Sequence, residues 1–310
     1  MKGRIPIYVY ALLAMLFWGL SFIWTSILLH YYEPVTIIFI RLIISSLFLF
    51  AVVVATRSFK PLEKKDIPLL ILSAVFNPFL YFLLENYGLK NTSPAIAAVI
   101  IATIPLFSPF AGYFLVREKV TIPVVLGIVF SFFGIILMLI NPDFSLNASP
   151  KGVLLLFLAV FAAVAYSVII RKISHEYNPV TIITHQNLIG AVYFLPLFMV
   201  FDFQHFITVT PTSELIMALL QLSVFASTLA YVFYIIAIKG IGVIKANVFA
   251  NLIPVFTGFF SFIILGETFT ALKIAGMLLV LFGVVVSQSG RLAQLMLRNK
   301  QSSMLMNRAK

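Results

Sequence analysis

The sequence predicts an all-α membrane protein of ten transmembrane helices, arranged as two inverted five-helix repeats. Three observations predict it. The 310 residues are 62% hydrophobic and 10% charged, where a soluble domain is ~45–50% apolar. Ten apolar stretches, at 6–29, 34–55, 67–89, 93–116, 120–140, 151–170, 179–201, 212–238, 243–265 and 270–289, approach the length of about 20 residues that carries a helix across a hydrocarbon core. Finally, the stretch 90–134 returns at 239–283 without a gap: at an offset of 149, Lys90 falls on Lys239, Pro105 on Pro254, Glu118 on Glu267, Gly127 on Gly276 and Gly134 on Gly283.

The earlier part of each half also matches, because PVTII at 34–38 returns at 179–183, an offset of 145. A longer loop near 202–212 accounts for the change of offset. Two units follow, 1–145 and 146–290, with a basic tail at 291–310. Runs this long and continuous are helices rather than barrel strands. Five spans per unit is an odd number, so the second copy enters the membrane in the opposite sense to the first. Many secondary transporters build alternating access from such a repeat, with the substrate site near the midplane between the halves.

The net charge of +11 does not point to nucleic acid, since in a membrane protein the placement of Lys and Arg matters more than their sum. With the amino terminus inside, 17 of the 21 basic residues are cytoplasmic, Lys90, Lys151 and Lys273 face outward, and Arg41 lies within a span. That asymmetry places both termini in the cytoplasm. The first span follows Lys2 and Arg4 like a signal peptide, but its apolar run is long and lacks a cleavage site, so it is read as retained. The chain has no Cys and only four scattered His, so no disulfide, metal site or cofactor is expected.

In span one, Trp18, Ser21 and Thr25 recur on one helical face, which serves either helix packing or a cavity wall. Span two carries Arg41 seven residues from Pro34. A mid-helix Arg costs about 2.5–3.5 kcal/mol on insertion scales, so it should face a partner or water. Its repeat mate is Gln186, which keeps polarity and drops the charge. Span three sets Asn77, Tyr81 and Glu85 on one face at i, i+4 and i+8. Three roles stay open for Glu85: a proton carrier, a counter-ion for a cationic substrate group, or the buried partner of Arg41.

Spans four and nine carry Pro105 and Pro254 mid-helix, where proline removes a backbone hydrogen bond and favours a kink against protein or a wet cavity. The symmetry breaks on span nine, where Asn247 and Asn251 stand opposite Ala98 and Ala102, as packing contacts or substrate ligands. Glu118 and Glu267 close these spans and suit the positive end of the next helix. The paired glycines of spans five and ten read as close-packing or dimer-forming faces. Span seven offers His185 beside Gln186, either a proton relay or a satisfied helix contact. Span eight aligns Ser227, Tyr231 and Tyr234.

With these residues in place, the whole chain resembles the EamA branch of the drug/metabolite transporter superfamily. The resemblance rests on FWGLSF in span one, Arg41, the IPLF and IPVF runs, and REKVT and GETFT ahead of the paired glycines. Arg117 stands where a Gly usually precedes the Glu, and AVAY in span six lacks a common Trp. The resemblance implies a bacterial inner-membrane carrier that exports small metabolites such as amino acids, as a single chain or a homodimer.

The expected mechanism is alternating access around a midplane cavity formed by spans one to four and six to nine, with five and ten as scaffold. Its candidate lining is Trp18, Arg41, Asn77, Tyr81, Glu85, His185, Gln186, Tyr231, Asn247 and Asn251. A zwitterion suits this set, its carboxylate near Arg41 and its amine near Glu85. The competing readings are a flippase for a lipid-linked intermediate and an exporter of organic cations or drugs. An embedded enzyme would need clustered His, Asp or Glu, and the acids here are scattered singly, so no enzyme activity is expected.

Overall fold

The computed structural model describes residues 5–55, 62–107, 122–140, 146, 148–171, 177–241, 246, 249–287 and 289. Asn247, the segment 117–121 with Glu118, and the basic tail lie outside these residues. Ten apolar helices are described: α1 Ile5–Leu28, α2 Pro34–Ala55, α3 Ile67–Lys90, α4 Pro94–Phe107, α5 Ile122–Leu139, α6 Pro150–Arg171, α7 Pro179–Leu197 with its continuation to Phe206, α8 Ser213–Ile241, α9 Ala250–Leu265 and α10 Ala271–Ser287. Seven of them are long and apolar enough to span a bilayer as described. The shorter α4 and α10 border residues outside those described, as does Phe249, which precedes α9.

Local chemistry starts several of these helices. Ser93 accepts the Ile96 amide ahead of Pro94, and Asn178 accepts the Val180 amide ahead of Pro179. Each pairs an N-cap oxygen with a proline at the first helical position, where no amide is needed. Thr212 caps α8 in the same way through Leu215. Asp202 does this from a distance: it is buried in α7, and its Oδ2 accepts both the amide and the hydroxyl of Thr36 in the first turn of α2. The loop expected from residue 202 begins later, because α7 continues to Phe206.

The helices obey the repeat in space. α2 packs on its mate α7 and α4 on its mate α9, while the contacts α3–α6 and α8–α1 exchange under the repeat. α5 and α10 cross so closely that a Cβ added to Gly127 would lie 2.5 Å from the Gly283 carbonyl oxygen, and one added to Gly134 would lie 2.6 Å from that of Gly276. Residue number rises along one helix as it falls along the other. The crossing is therefore antiparallel, as inversion requires. These glycines pack within the chain rather than forming a dimer face, and the large exposed side chains of the pair, such as Phe132, Phe133, Leu278 and Phe282, point outward as a lipid-facing surface.

Four helices are irregular at repeat-related places. α3 contains a π-helical segment at Val75–Leu80 and α8 one at Leu222–Leu229. α4 loses its helix at Ala102 and Thr103, just before Pro105, and α9 opens with a 3-10 turn at Ala250–Leu252, just before Pro254. Irregular backbone at membrane depth is tolerated where it is buried in protein or lines a cavity. Outside this region, Lys273 is 6% exposed and pairs with Glu267 at 3.2 Å, and Ser261 donates to the same carboxylate. Glu267 thus has a buried cation as partner beyond the helix end proposed for it.

Candidate functional site

A cavity of about 380 Å³ lies between the repeats, with the irregular segments of α3, α4 and α9 on its wall. α1 contributes Trp18, Ser21 and Phe22, α2 contributes Arg41, and α3 contributes Asn77, Tyr81, Phe82 and Glu85. From the second repeat come Ala163 and Ser167 of α6, Tyr231 and Tyr234 of α8, and Ala250 and Ile253 of α9. α10 reaches the wall through Ser287, so it is more than scaffold, whereas α7 supplies none of the lining residues described.

Asn77 adopts φ −148° and ψ 119°, which turns it out of the helical path within the π segment of α3. One turn on, Tyr81 donates its hydroxyl to Glu85 Oε1 at 2.7 Å, the i, i+4 spacing bringing the two side chains together. Arg41 is 4% exposed, and its Nε donates to Ser227 Oγ. Its guanidinium carbon sits 4.2 Å from the centre of the Phe82 ring, a cation–π stack that helps hold a desolvated cation.

Arg41 and Glu85 are not joined. The described ion pairs are Lys65–Glu63, Lys90–Glu33 and Lys273–Glu267. The two opposite charges therefore face one cavity with separate protein partners.

The aromatic wall is built around Trp18. Tyr231 and Tyr234 each meet its ring edge-on with centroids 5.1 Å apart, the geometry that aromatic quadrupoles prefer. The indole Nε1 donates to the Ala226 carbonyl at 3.2 Å, inside the π segment of α8, where the i→i+5 pattern disturbs the ordinary ladder. Thr257 of α9 donates to the Gly19 carbonyl at 3.1 Å, and a Cβ on Gly19 would meet Phe256 Cβ at 2.7 Å. Gly19 thus lets α9 approach close behind Trp18.

Below Arg41, a polar cluster ties α2, α7 and α8 together. Asn187 Nδ2 donates to Ser45 Oγ at 2.9 Å, and Ser45 Oγ shares a hydrogen bond with Thr228 Oγ1 at 3.0 Å. All three residues are buried, which suits the rule that buried polar groups find partners.

Three predicted residues stand elsewhere. The His185 ring nitrogen bonds the Thr181 carbonyl of its own helix at 2.7 Å. Gln186 donates to Ser73 Oγ at 2.9 Å and accepts from Tyr166 at 3.0 Å, joining α3, α6 and α7 instead of facing the cavity. Asn251 is buried, and its amide atoms have no hydrogen-bond partner among the described residues; it sits between the lining residues Ala250 and Ile253 without lining the cavity itself. Trp18, Arg41, Asn77, Tyr81, Glu85 and Tyr231 lie together on the wall. The sequence reading missed Phe82, whose repeat mate at an offset of 149 is Tyr231, so the repeat itself carried a usable signal.

Comparison with known proteins gives one family and one fold. The EamA-like transporter family matches residues 5–140 and 150–288. An uncharacterized transporter of Archaeoglobus fulgidus is 26% identical over 274 residues, covering 88% of this chain and 95% of that protein. The uncharacterized transporter YyaM of Bacillus subtilis is 26% identical over 289 residues, covering 92% of this chain and 94% of its own. A crystal structure of a protein that is 17% identical shares the fold with a TM-score of 0.67, over 91% of this chain and 98% of that one.

Proposed function

The chain belongs to the EamA-like transporter family, and from that premise we propose that it is a secondary transporter exporting small zwitterionic metabolites, amino acids among them. The observation that carries this reading is the cavity, which presents one guanidinium and one carboxylate that form no direct ion pair. Each charge is costly within a membrane. A ligand bearing both opposite charges, with its carboxylate at Arg41 and its amine at Glu85, completes both at once. The volume of about 380 Å³ falls in the range of about 300–1,000 Å³ typical of small-molecule sites.

Alternating access follows from the inverted repeat: rocking of one unit against the other about a fixed midplane site exposes it to each side in turn. Glu85 is the group on the wall available for a coupling proton. Export and a bacterial inner-membrane location rest on the family resemblance, and the cytoplasmic placement of both termini on the distribution of basic residues.

The test is a ligand-dependent melting screen of the purified protein in detergent, with amino acids, nucleobases, organic cations and sugar phosphates. A ligand at ~100 times its Kd stabilises by about 2.7 kcal/mol. A shift with one amino-acid class, lost in Arg41→Ala, is the expected result. A shift with organic cations alone would replace this reading with drug export, and no shift with any soluble ligand would replace it with flipping of a lipid-linked intermediate.

A further inference from the structure

We propose that Ser227 is a positioning residue for Arg41, and that Ser227 and Phe82 together leave only the Nη1/Nη2 edge of the guanidinium to receive the substrate carboxylate. This rests on the reading of Arg41 as the carboxylate anchor. The Ser227 hydroxyl donates its own proton to the Leu222 carbonyl at 3.2 Å. A hydroxyl has one proton and two lone pairs, so a lone pair is what Ser227 presents to Arg41 Nε. The contact to a carbonyl five residues back belongs to the π segment Leu222–Leu229. That irregularity of α8 thereby sets the acceptor in place.

Two constraints then orient the guanidinium. The Nε bond sets the direction in which the group points, and the Phe82 ring, 4.2 Å from Cζ, covers one of its flat faces. An Arg fork has two edges that can hold a carboxylate through two hydrogen bonds, one made by Nε with one Nη and one made by Nη1 with Nη2. With Nε occupied, the edge that remains for a bidentate carboxylate is Nη1/Nη2. Among the described residues, Ser227 is the hydrogen-bond acceptor of Arg41, so the Nη groups stay available on the cavity wall.

The repeat shows why this arrangement is built once. The mate of Arg41 is Gln186, at an offset of 145, and the mate of Ser227 is Pro78, at an offset of 149. Proline offers no side-chain acceptor, and Gln186 turns instead to Ser73 and Tyr166. The cavity therefore holds one anchored guanidinium rather than two, which orients a zwitterion in a single sense, carboxylate toward α2 and α8 and amine toward Glu85 on α3.

The experiment has two arms, on wild type, Ser227→Ala and Ser227→Thr in detergent micelles. In the first, 15N-arginine labelling follows exchange of the Arg41 Nε–H with water, assigned by its disappearance in Arg41→Lys. We expect exchange at least tenfold slower than for exposed arginines, accelerated at least tenfold by Ser227→Ala and slowed again by Ser227→Thr. In the second, melting shifts report affinity for L-phenylalanine and for L-phenylalaninamide, which lacks the carboxylate. Ser227→Ala should weaken phenylalanine at least tenfold, about 1.4 kcal/mol, and the amide less than twofold, with recovery in Ser227→Thr.

Exchange unaffected by Ser227→Ala would overturn the positioning role. Accelerated exchange with unchanged phenylalanine affinity, or equal loss of both ligands, would overturn the edge assignment. If wild type binds no amino acid in the melting screen, the substrate reading falls by itself, and the exchange arm still decides whether Ser227 orients Arg41.

Discussion

Ser131 and Val280 hold the same position in the two repeats, 149 residues apart, and they meet: the Ser131 hydroxyl donates to the Val280 carbonyl at 3.2 Å. A residue that touches its own repeat mate lies on the axis relating the copies. On either side, Gly127 abuts Gly283 and Gly134 abuts Gly276, two contacts that the same axis exchanges. The pseudo-two-fold therefore runs through the crossing of α5 and α10, in the plane expected for inverted halves.

Symmetry makes the first prediction quantitative. Gly127→Ala and Gly276→Ala each bring a Cβ to 2.5 Å from a backbone oxygen, and backbone yields less readily than the end of a side chain. Overpacking of this kind costs about 1–3 kcal/mol, so both variants should lower the melting temperature in detergent by similar amounts. Light scattering should show the oligomeric state unchanged, because these faces are already occupied within the chain. A change of oligomeric state would return the glycines to a dimer interface.

Asp202 gives the second. Its carboxylate takes two donors from Thr36 at the start of α2, and losing a helix cap costs about 0.5–2 kcal/mol. Asp202→Ala should lower the melting temperature, and Asp202→Asn, which keeps an acceptor oxygen, should recover part of the loss. Equal melting temperatures for the alanine variant and wild type would dismiss the cap.

Glu85 gives the third. As a proton carrier it would make net transport into liposomes depend on an imposed pH gradient. Glu85→Gln keeps the size and an acceptor oxygen for Tyr81 but removes the counter-ion of the substrate amine, so substrate exchange at equal pH should continue with a raised KM while the pH dependence is lost. Transport by Glu85→Gln that still responds to the gradient would end the carrier role and leave Glu85 as counter-ion for the substrate amine.

Much of the architecture was written along the chain. Span number and inversion depend on runs of apolar residues and on the parity of a repeat, both local or periodic properties that need no tertiary contact to read. The intramembrane charges Arg41 and Glu85 stood out for the same reason, since their burial is expensive wherever they point. The glycine spacing was equally visible, but its partner was not: whether such a face meets another chain or its own repeat is decided by where α5 and α10 cross.

The site's membership belonged to the tertiary structure. His185 and Gln186 are as polar as Arg41, yet the rotation of α7 turns one onto its own backbone and the other toward Ser73 and Tyr166. Arg41 finds Ser227 across 186 residues of sequence, and the π segment that prepares Ser227 has no period that hydropathy could reveal. Composition and repeat thus determined that the chain crosses the membrane ten times in two opposed halves. Which side chains share the cavity was settled only by helix rotation and broken helical register, because a turn of about 100° per residue moves a side chain from wall to interface without changing a single letter of the pattern.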